Sequence, residues 1–128
     1  MPVKVIDASA LAALVFGEPE AVQVALSIGN DALVVPPILW LEMANVCWKK
    51  MRRFPDQRDT VLASHSRLGT LPLREVTVPL NDVLLLAERE GLTVYDGCYL
   101  WLAQELQTEL VTLDKRLGLR AGVTASRS

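Results

Sequence analysis

The sequence predicts an α/β domain of three layers, with a mainly parallel central sheet of four to five short strands flanked by helices. Short β-branched runs such as Val3-Lys4-Val5-Ile6 and Leu33-Val34-Val35 alternate with longer stretches rich in alanine and leucine, the order expected of parallel strands bridged by helices. A chain of 128 residues is about one domain long and can bury a core without disulfide or zinc staples, so one domain over residues 1–128 is expected. The composition, 51% hydrophobic and 22% charged, is that of a folded chain and slightly rich in apolar residues, which suggests an oligomer or a second protein covering part of the surface.

The first strand, residues 3–6, ends on Asp7, and residues 8–16 switch to a helical composition. Gly17-Glu18-Pro19-Glu20 breaks that helix and opens another over residues 21–28, which Gly29-Asn30 stops. Residues 33–35 form the next buried strand. Pro36-Pro37 then opens a long helix to about residue 53, because a proline in the first turn gives up an N–H that has no intrahelical partner anyway. Phe54-Pro55-Asp56 ends it. A helix over about residues 55–68, a strand over 74–78 and a helix over 81–90 follow. Asp96, after the short run Leu92-Thr93-Val94-Tyr95, begins a helix to about residue 106; residues 109–113 make the last strand, and Asp114 starts a final short helix.

The formal net charge of −2 gives no general attraction for nucleic acid, so a polyanion would have to be held locally. Cys47 and Cys98 form no CxxC pair, and with His65 as the one histidine there is no soft ligand set for zinc. Both cysteines read as small buried hydrophobes in a reducing compartment. The chain reaches Asp7 too early for a signal sequence, and no apolar run is long enough to cross a bilayer, so the expectation is a cytoplasmic protein.

In an open parallel sheet the usable site lies at the carboxyl ends of the strands. Asp7 directly follows the first strand, Asp114 follows Leu110-Val111-Thr112-Leu113, and Asp96 follows the short run before it. Glu42 lies one turn into the helix after the second strand and can overhang the same edge. Each aspartate also suits a helix N-cap, a role that does not exclude another, and Glu42 also suits a solvated stripe with Asn45, Lys49 and Arg52. Four carboxylates at one edge repel one another and need a compensating cation. Oxygen donors without histidine or thiolate favour Mg²⁺ or Mn²⁺, and such an ion can activate water against a phosphodiester.

Four strings carry a resemblance to a known family. Val5-Ile6-Asp7-Ala8-Ser9-Ala10-Leu11 with Gly17-Glu18, Pro36 through Leu41-Glu42 to Asn45-Val46, Tyr95-Asp96-Gly97-Cys98-Tyr99-Leu100 with Leu102-Ala103, and Leu110-Val111-Thr112-Leu113-Asp114-Lys115-Arg116-Leu117 together resemble the motifs of PIN-domain nucleases, in particular the VapC-type toxins. Four in order across nearly the whole chain are a specific signal; the one departure is Gly97, where the family more often has alanine. The resemblance implies a PIN-like fold and an Mg²⁺- or Mn²⁺-dependent endoribonuclease acting as the toxin of a type II toxin–antitoxin pair. It also implies an RNA substrate, a cognate antitoxin and a homodimer. Asp7 and Asp96 are then the first choices for direct metal ligands, with Glu42 and Asp114 binding through water or completing a second ion site. Ser9, Asn45 and Thr112 are candidates for hydrogen bonds that fix these carboxylates, although Ser9 and Thr112 also suit purely local backbone bonding.

The basic clusters Lys49, Lys50, Arg52, Arg53 and Lys115, Arg116, Arg120 could guide phosphates or simply be solvated helix faces. Trp40, Trp48 and Trp101, at helical spacing among leucines, read as core or interface. A phosphoacceptor signalling domain is disfavoured because Asp7 stands alone and Val76-Thr77-Val78-Pro79 carries no aspartate; a DxD phosphatase is disfavoured because Asp7-Ala8-Ser9 lacks the second acid. The remaining rival is a catalytically silent PIN-fold module that acts through a protein partner.

Overall fold

The computed structural model describes residues 2–122. In chain order the elements are β1 (Val3–Ile6), α1 (Ala8–Val15), α2 (Ala21–Ile28), β2 (Ala32–Val35), α3 (Ile38–Arg53), α4 (Arg58–Ser66), β3 (Leu73–Glu75), α5 (Leu80–Glu90), α6 (Val94–Glu105), β4 (Leu110–Val111) and α7 (Lys115–Ala121). Single 3-10 turns, Pro55–Gln57 and Arg67–Thr70, flank α4. The four described strands form one parallel sheet in the order β3-β2-β1-β4, with Val5 opposite Val34 on one side and Leu110 on the other.

That order places the candidate edge. The chain leaves β1 toward β2 and β3, then returns to add β4 on the far side of β1, so the winding direction reverses between β1 and β4. At such a reversal the connections leaving the carboxyl ends diverge and open a crevice, and Asp7 and Asp114 stand on its two sides. β1 is central, so Val5 and Ile6 are fully buried and pack in one core with Leu11, Leu39, Met43, Leu100, Leu110 and Leu117. Burial on both faces is why the strands read as continuous apolar runs rather than as alternating ones.

Several boundaries differ from the sequence expectation for identifiable reasons. The last strand stops at Val111, because the buried Thr112 turns its hydroxyl to the Asp7 carboxylate and accepts the Asp114 N–H. The third strand is Leu73–Glu75 rather than 74–78, although the Val76 N–H still reaches the Val35 carbonyl at 2.9 Å. The region expected as one helix over 55–68 is divided into turn, helix and turn. The Leu92–Thr93–Val94–Tyr95 run is not a strand leading to Asp96: Thr93 caps α6, its hydroxyl accepting the Asp96 N–H at 3.1 Å, and Asp96 sits inside the first turn.

Gly97 has a packing role. A Cβ there would lie 3.2 Å from both the Ala87 Cβ and the Val83 Cγ1, so glycine lets α5 and α6 approach closely under the first turn that carries Asp96. Cys47 and Cys98 are free and buried. Trp40 and Trp101 pack against the core, whereas Trp48 is half-exposed with the Arg52 guanidinium over its ring. Among the described residues no single helix is long and apolar enough to cross a membrane.

Candidate active site

Asp7 is the anchor of the site. It caps α1, with Oδ1 accepting the Ala10 N–H at 3.0 Å and the Ser9 hydroxyl at 2.7 Å, while Oδ2 accepts the Thr112 hydroxyl. Ser9 in turn accepts the Leu113 N–H at 3.0 Å, so β1 and the residues after β4 are stitched together through these two hydroxyls. The carboxylate is 5% exposed. Burial raises its pKa to about 6 against the pull of the Thr112, Ala10 and Ser9 hydrogen bonds, and the charge of Asp96 adds to the rise.

Glu42 projects from the second turn of α3, half-buried, and its Oε1 accepts the Tyr99 hydroxyl at 2.6 Å. Burial pushes its carboxyl up and Asp96 pushes in the same direction, with the Tyr99 bond opposing. Tyr99 is itself almost fully buried, and burial together with Glu42 holds its hydroxyl far above the usual range, so it stays protonated and donates. Asp96 stands between the others electrostatically: burial raises it, Asp114 raises it further, and Arg116 and Thr93 act the other way. Asp114 caps α7, with Oδ1 accepting the Leu117 N–H at 3.1 Å.

All four expected acids are therefore linked around Asp96 by charge, and among the described residues none of them is in an ion pair. The local cap roles of Asp7 and Asp114 coexist with this. No three carboxylate, histidine or cysteine side chains among the described residues close tightly enough on one point to enclose an ion by themselves. Each cap or anchor bond uses one oxygen and leaves another open: Glu42 Oε2 and Asp114 Oδ2 accept nothing from the described protein, and Asp7 Oδ2 takes a single donor where two can bind.

Ser9 and Thr112 bond Asp7 directly, whereas Asn45 is exposed and its side chain bonds no described carboxylate. Sequence reasoning missed Thr93 as the cap of α6 and Tyr99 as the donor to Glu42, and it read Arg116, whose guanidinium is held on the Gly91 carbonyl, only as part of a basic cluster. Both missed residues left a trace. Thr93 and Asp96 have the spacing of a capping box, and Tyr99 lies three residues after Asp96, on the same helical face. In the basic cluster on α3, Lys50 is bonded to Glu18 at 2.8 Å, Arg52 lies over the Trp48 ring and Arg53 over the Phe54 ring.

Comparison with known proteins places the chain in a family. The PIN domain family matches residues 4–122. The ribonuclease VapC3 of Pyrobaculum aerophilum is 32% identical over 118 residues, covering 88% of this chain and 90% of that protein. The exonuclease VapC9 of the same organism is 32% identical over 120 residues, covering 91% of this chain and 85% of that protein. Among solved structures, PAE2754 from Pyrobaculum aerophilum superposes with a TM-score of 0.76 at 23% identity, over 97% of this chain and 90% of that one. A toxin–antitoxin complex from Klebsiella pneumoniae superposes with a TM-score of 0.59 at 19% identity, over 90% and 89% of the two chains. At those identities the two structures speak for the fold, while the family match and the relatives speak for descent. A four-stranded parallel sheet that reverses at β1, four linked acids at that reversal and a match from residue 4 to residue 122 carry one conclusion: this chain belongs to the PIN domain family, beside VapC-type nucleases.

Proposed function

We propose that the chain is a metal-dependent endoribonuclease, the toxin of a type II toxin–antitoxin pair, working as one domain over residues 1–128. The observation that carries this is the set of four carboxylates at the sheet reversal, coupled through Asp96 and without an ion-paired lysine or arginine among the described residues. The ribonuclease relative supports the substrate, and the toxin–antitoxin complex of the same fold supports a protein partner.

The donor set fits a hard dication. All the open atoms are carboxylate oxygens, and Mg²⁺ usually keeps several waters while taking one or two carboxylates, so this donor type suits Mg²⁺ or Mn²⁺. Asp7 and Asp96 would hold the ion directly, with Glu42 and Asp114 acting through water or a second ion. When bound, the ion would supply an acidified water and neutralise phosphoryl charge. The chain's own residues do the rest: Ser9 and Thr112 fix the Asp7 carboxylate, and Tyr99 fixes Glu42. Asn45, beside Glu42, serves the substrate side of the site. A homodimer and a cytoplasmic location complete the reading.

The test is incubation of the purified chain and its Asp7→Asn variant with 5′- and 3′-labelled RNA in Mg²⁺, Mn²⁺ or chelator, with circular dichroism to confirm folding. Internal, metal-dependent cuts lost in the folded variant support the proposal. Cuts only from one end would replace endonuclease by exonuclease. No cleavage with any metal would leave the silent partner-binding module as the better account.

A further inference from the structure

Next to Glu42 lies a pocket of about 390 Å³ lined by Ile38, Leu41, Glu42, Asn45 and Tyr95. We infer that it is a nucleobase subsite, in which the Tyr95 ring stacks on an unpaired base of an RNA whose neighbouring phosphate lies at the acids. The inference rests on the nuclease reading for the position of the phosphate, but not for the pocket.

Four observations support it. Tyr95 is 58% exposed and Leu41 69% exposed, so the aromatic ring and one apolar wall are available rather than committed to the core. The Tyr95 hydroxyl and the Asn45 carboxamide have no hydrogen-bond partner among the described residues. The pocket adjoins the acid site: Glu42 lines it, and Tyr95, which also lines it, directly precedes Asp96 in the chain. Its volume lies in the range of small-ligand pockets, about 300–1,000 Å³.

The chemistry selects the part of the nucleotide. Carboxylates without paired cations repel a bare phosphate from this wall, whereas a base is neutral, flat and suited to stack on a phenol ring. The Asn45 carboxamide carries two donors and an acceptor, which lets it bond a base edge. A base still stacked in a duplex cannot enter such a pocket, so the substrate class is RNA with an unpaired nucleotide beside the bond to be cut. Stacking alone accepts any base, so selectivity would come from Asn45.

The experiment uses the full chain with a fluorescein-labelled, unstructured ten-nucleotide RNA of mixed sequence, read by anisotropy in Ca²⁺, and the same RNA annealed into a duplex. Tyr95→Ala should weaken single-strand binding about tenfold, within the range expected for one lost base stack, and Tyr95→Phe should stay within about twofold of wild type. In Mg²⁺ the Tyr95→Ala loss should appear as a raised KM with kcat nearly kept, and the half-exposed position predicts an unchanged melting temperature. Equal RNA binding by wild type and Tyr95→Ala, tighter binding of the duplex, or no RNA binding by wild type would overturn the subsite. So would loss of self-association in Tyr95→Ala with RNA binding intact, since that marks a protein contact. If wild type cleaves nothing yet Tyr95→Ala loses RNA binding, the subsite stands and the nuclease reading fails.

Discussion

The two ends of the sheet hold acids on opposite terms. At the amino end, Lys4 Nζ lies 3.1 Å from Asp31 and 3.9 Å from Glu109, and it also donates to the carbonyls of Ser27 and Ile28 at 2.7 and 3.3 Å. The ammonium thus ties β1 to the C-terminal turn of α2 and to the segments entering β2 and β4. At the carboxyl end, Asp7, Glu42 and Asp114 are each coupled by charge to Asp96, and Arg116, the cation that eases Asp96, is held on the Gly91 carbonyl. One end closes its charge with a protein cation and stabilises the fold; the other holds like charges with no ion-paired cation among the described residues, which costs stability in the free protein and suits a site that binds a dication.

The largest effects should come from exchanging the character of the two ends. Asp7→Asn should lower metal-dependent cleavage on the order of a hundredfold or more while leaving the fold intact, because an amide still accepts the Ala10 N–H. Lys4→Met should do the reverse, destabilising the chain by about 2 kcal/mol in urea unfolding while cleavage per folded molecule is unchanged. Cleavage lost in Lys4→Met without unfolding would break the comparison.

The next prediction concerns pH in the absence of metal. The Asp7 pKa is about 6 in the folded chain against 3.8 as the reference value, so the folded state binds the proton more tightly. The stability this lends is complete below about pH 3.8 and is lost as pH rises through about 6, up to about 3 kcal/mol for the Asp7 contribution. Glu42 and Asp96 shift in the same direction. Urea denaturation in chelator at pH 5 and pH 8 should show the wild type losing stability toward pH 8, and Asp7→Asn losing much less. Adding Mg²⁺ at pH 8 should raise the melting temperature of wild type and leave Asp7→Asn nearly unmoved.

Smaller effects sharpen the division. Thr112→Val removes the donor to Asp7 and the acceptor for the Asp114 N–H, and should cost about 1–2 kcal/mol of stability with about a tenfold fall in cleavage. Gly97→Ala should change stability by less than about 1 kcal/mol, since the gain in helix propensity is offset by the 3.2 Å approach to Val83 and Ala87. A larger loss, measured by thermal melting, would mean that α5 cannot give way and that this contact sets the height of Asp96.

Much of this was readable before folding. The alternation of apolar strand runs with helical segments located every strand and α-helix, though not the 3-10 turns beside α4, since both signals repeat within a few residues. Asp7 and Asp114 were legible as caps from their positions ahead of α1 and α7, and as neighbours at one sheet edge from their positions after β1 and β4. The errors fall where distant groups decide. Nothing local to residues 109–113 says that Thr112 will leave the ladder for Asp7, 105 positions away in the chain. The Leu92–Thr93–Val94–Tyr95 run has strand-like residues, yet Thr93 ends it as a helix cap. Asn45 shares the Glu42 helix but, bonding none of the acids, opens on the pocket instead.

By itself the sequence determined which residues carry charge, which stretches can be strand or helix, and that four acids occur at points where strands end and helices begin. Only the tertiary structure decided that β4 lies against β1, that Tyr99 reaches Glu42, and that Lys4 closes the charge at one end of the sheet while, among the described residues, no lysine pairs with the acids at the other. The reason is physical. Periodicity and capping are settled over a single turn of chain, whereas desolvation and the repulsion of like charges depend on distances that exist only once the sheet has formed.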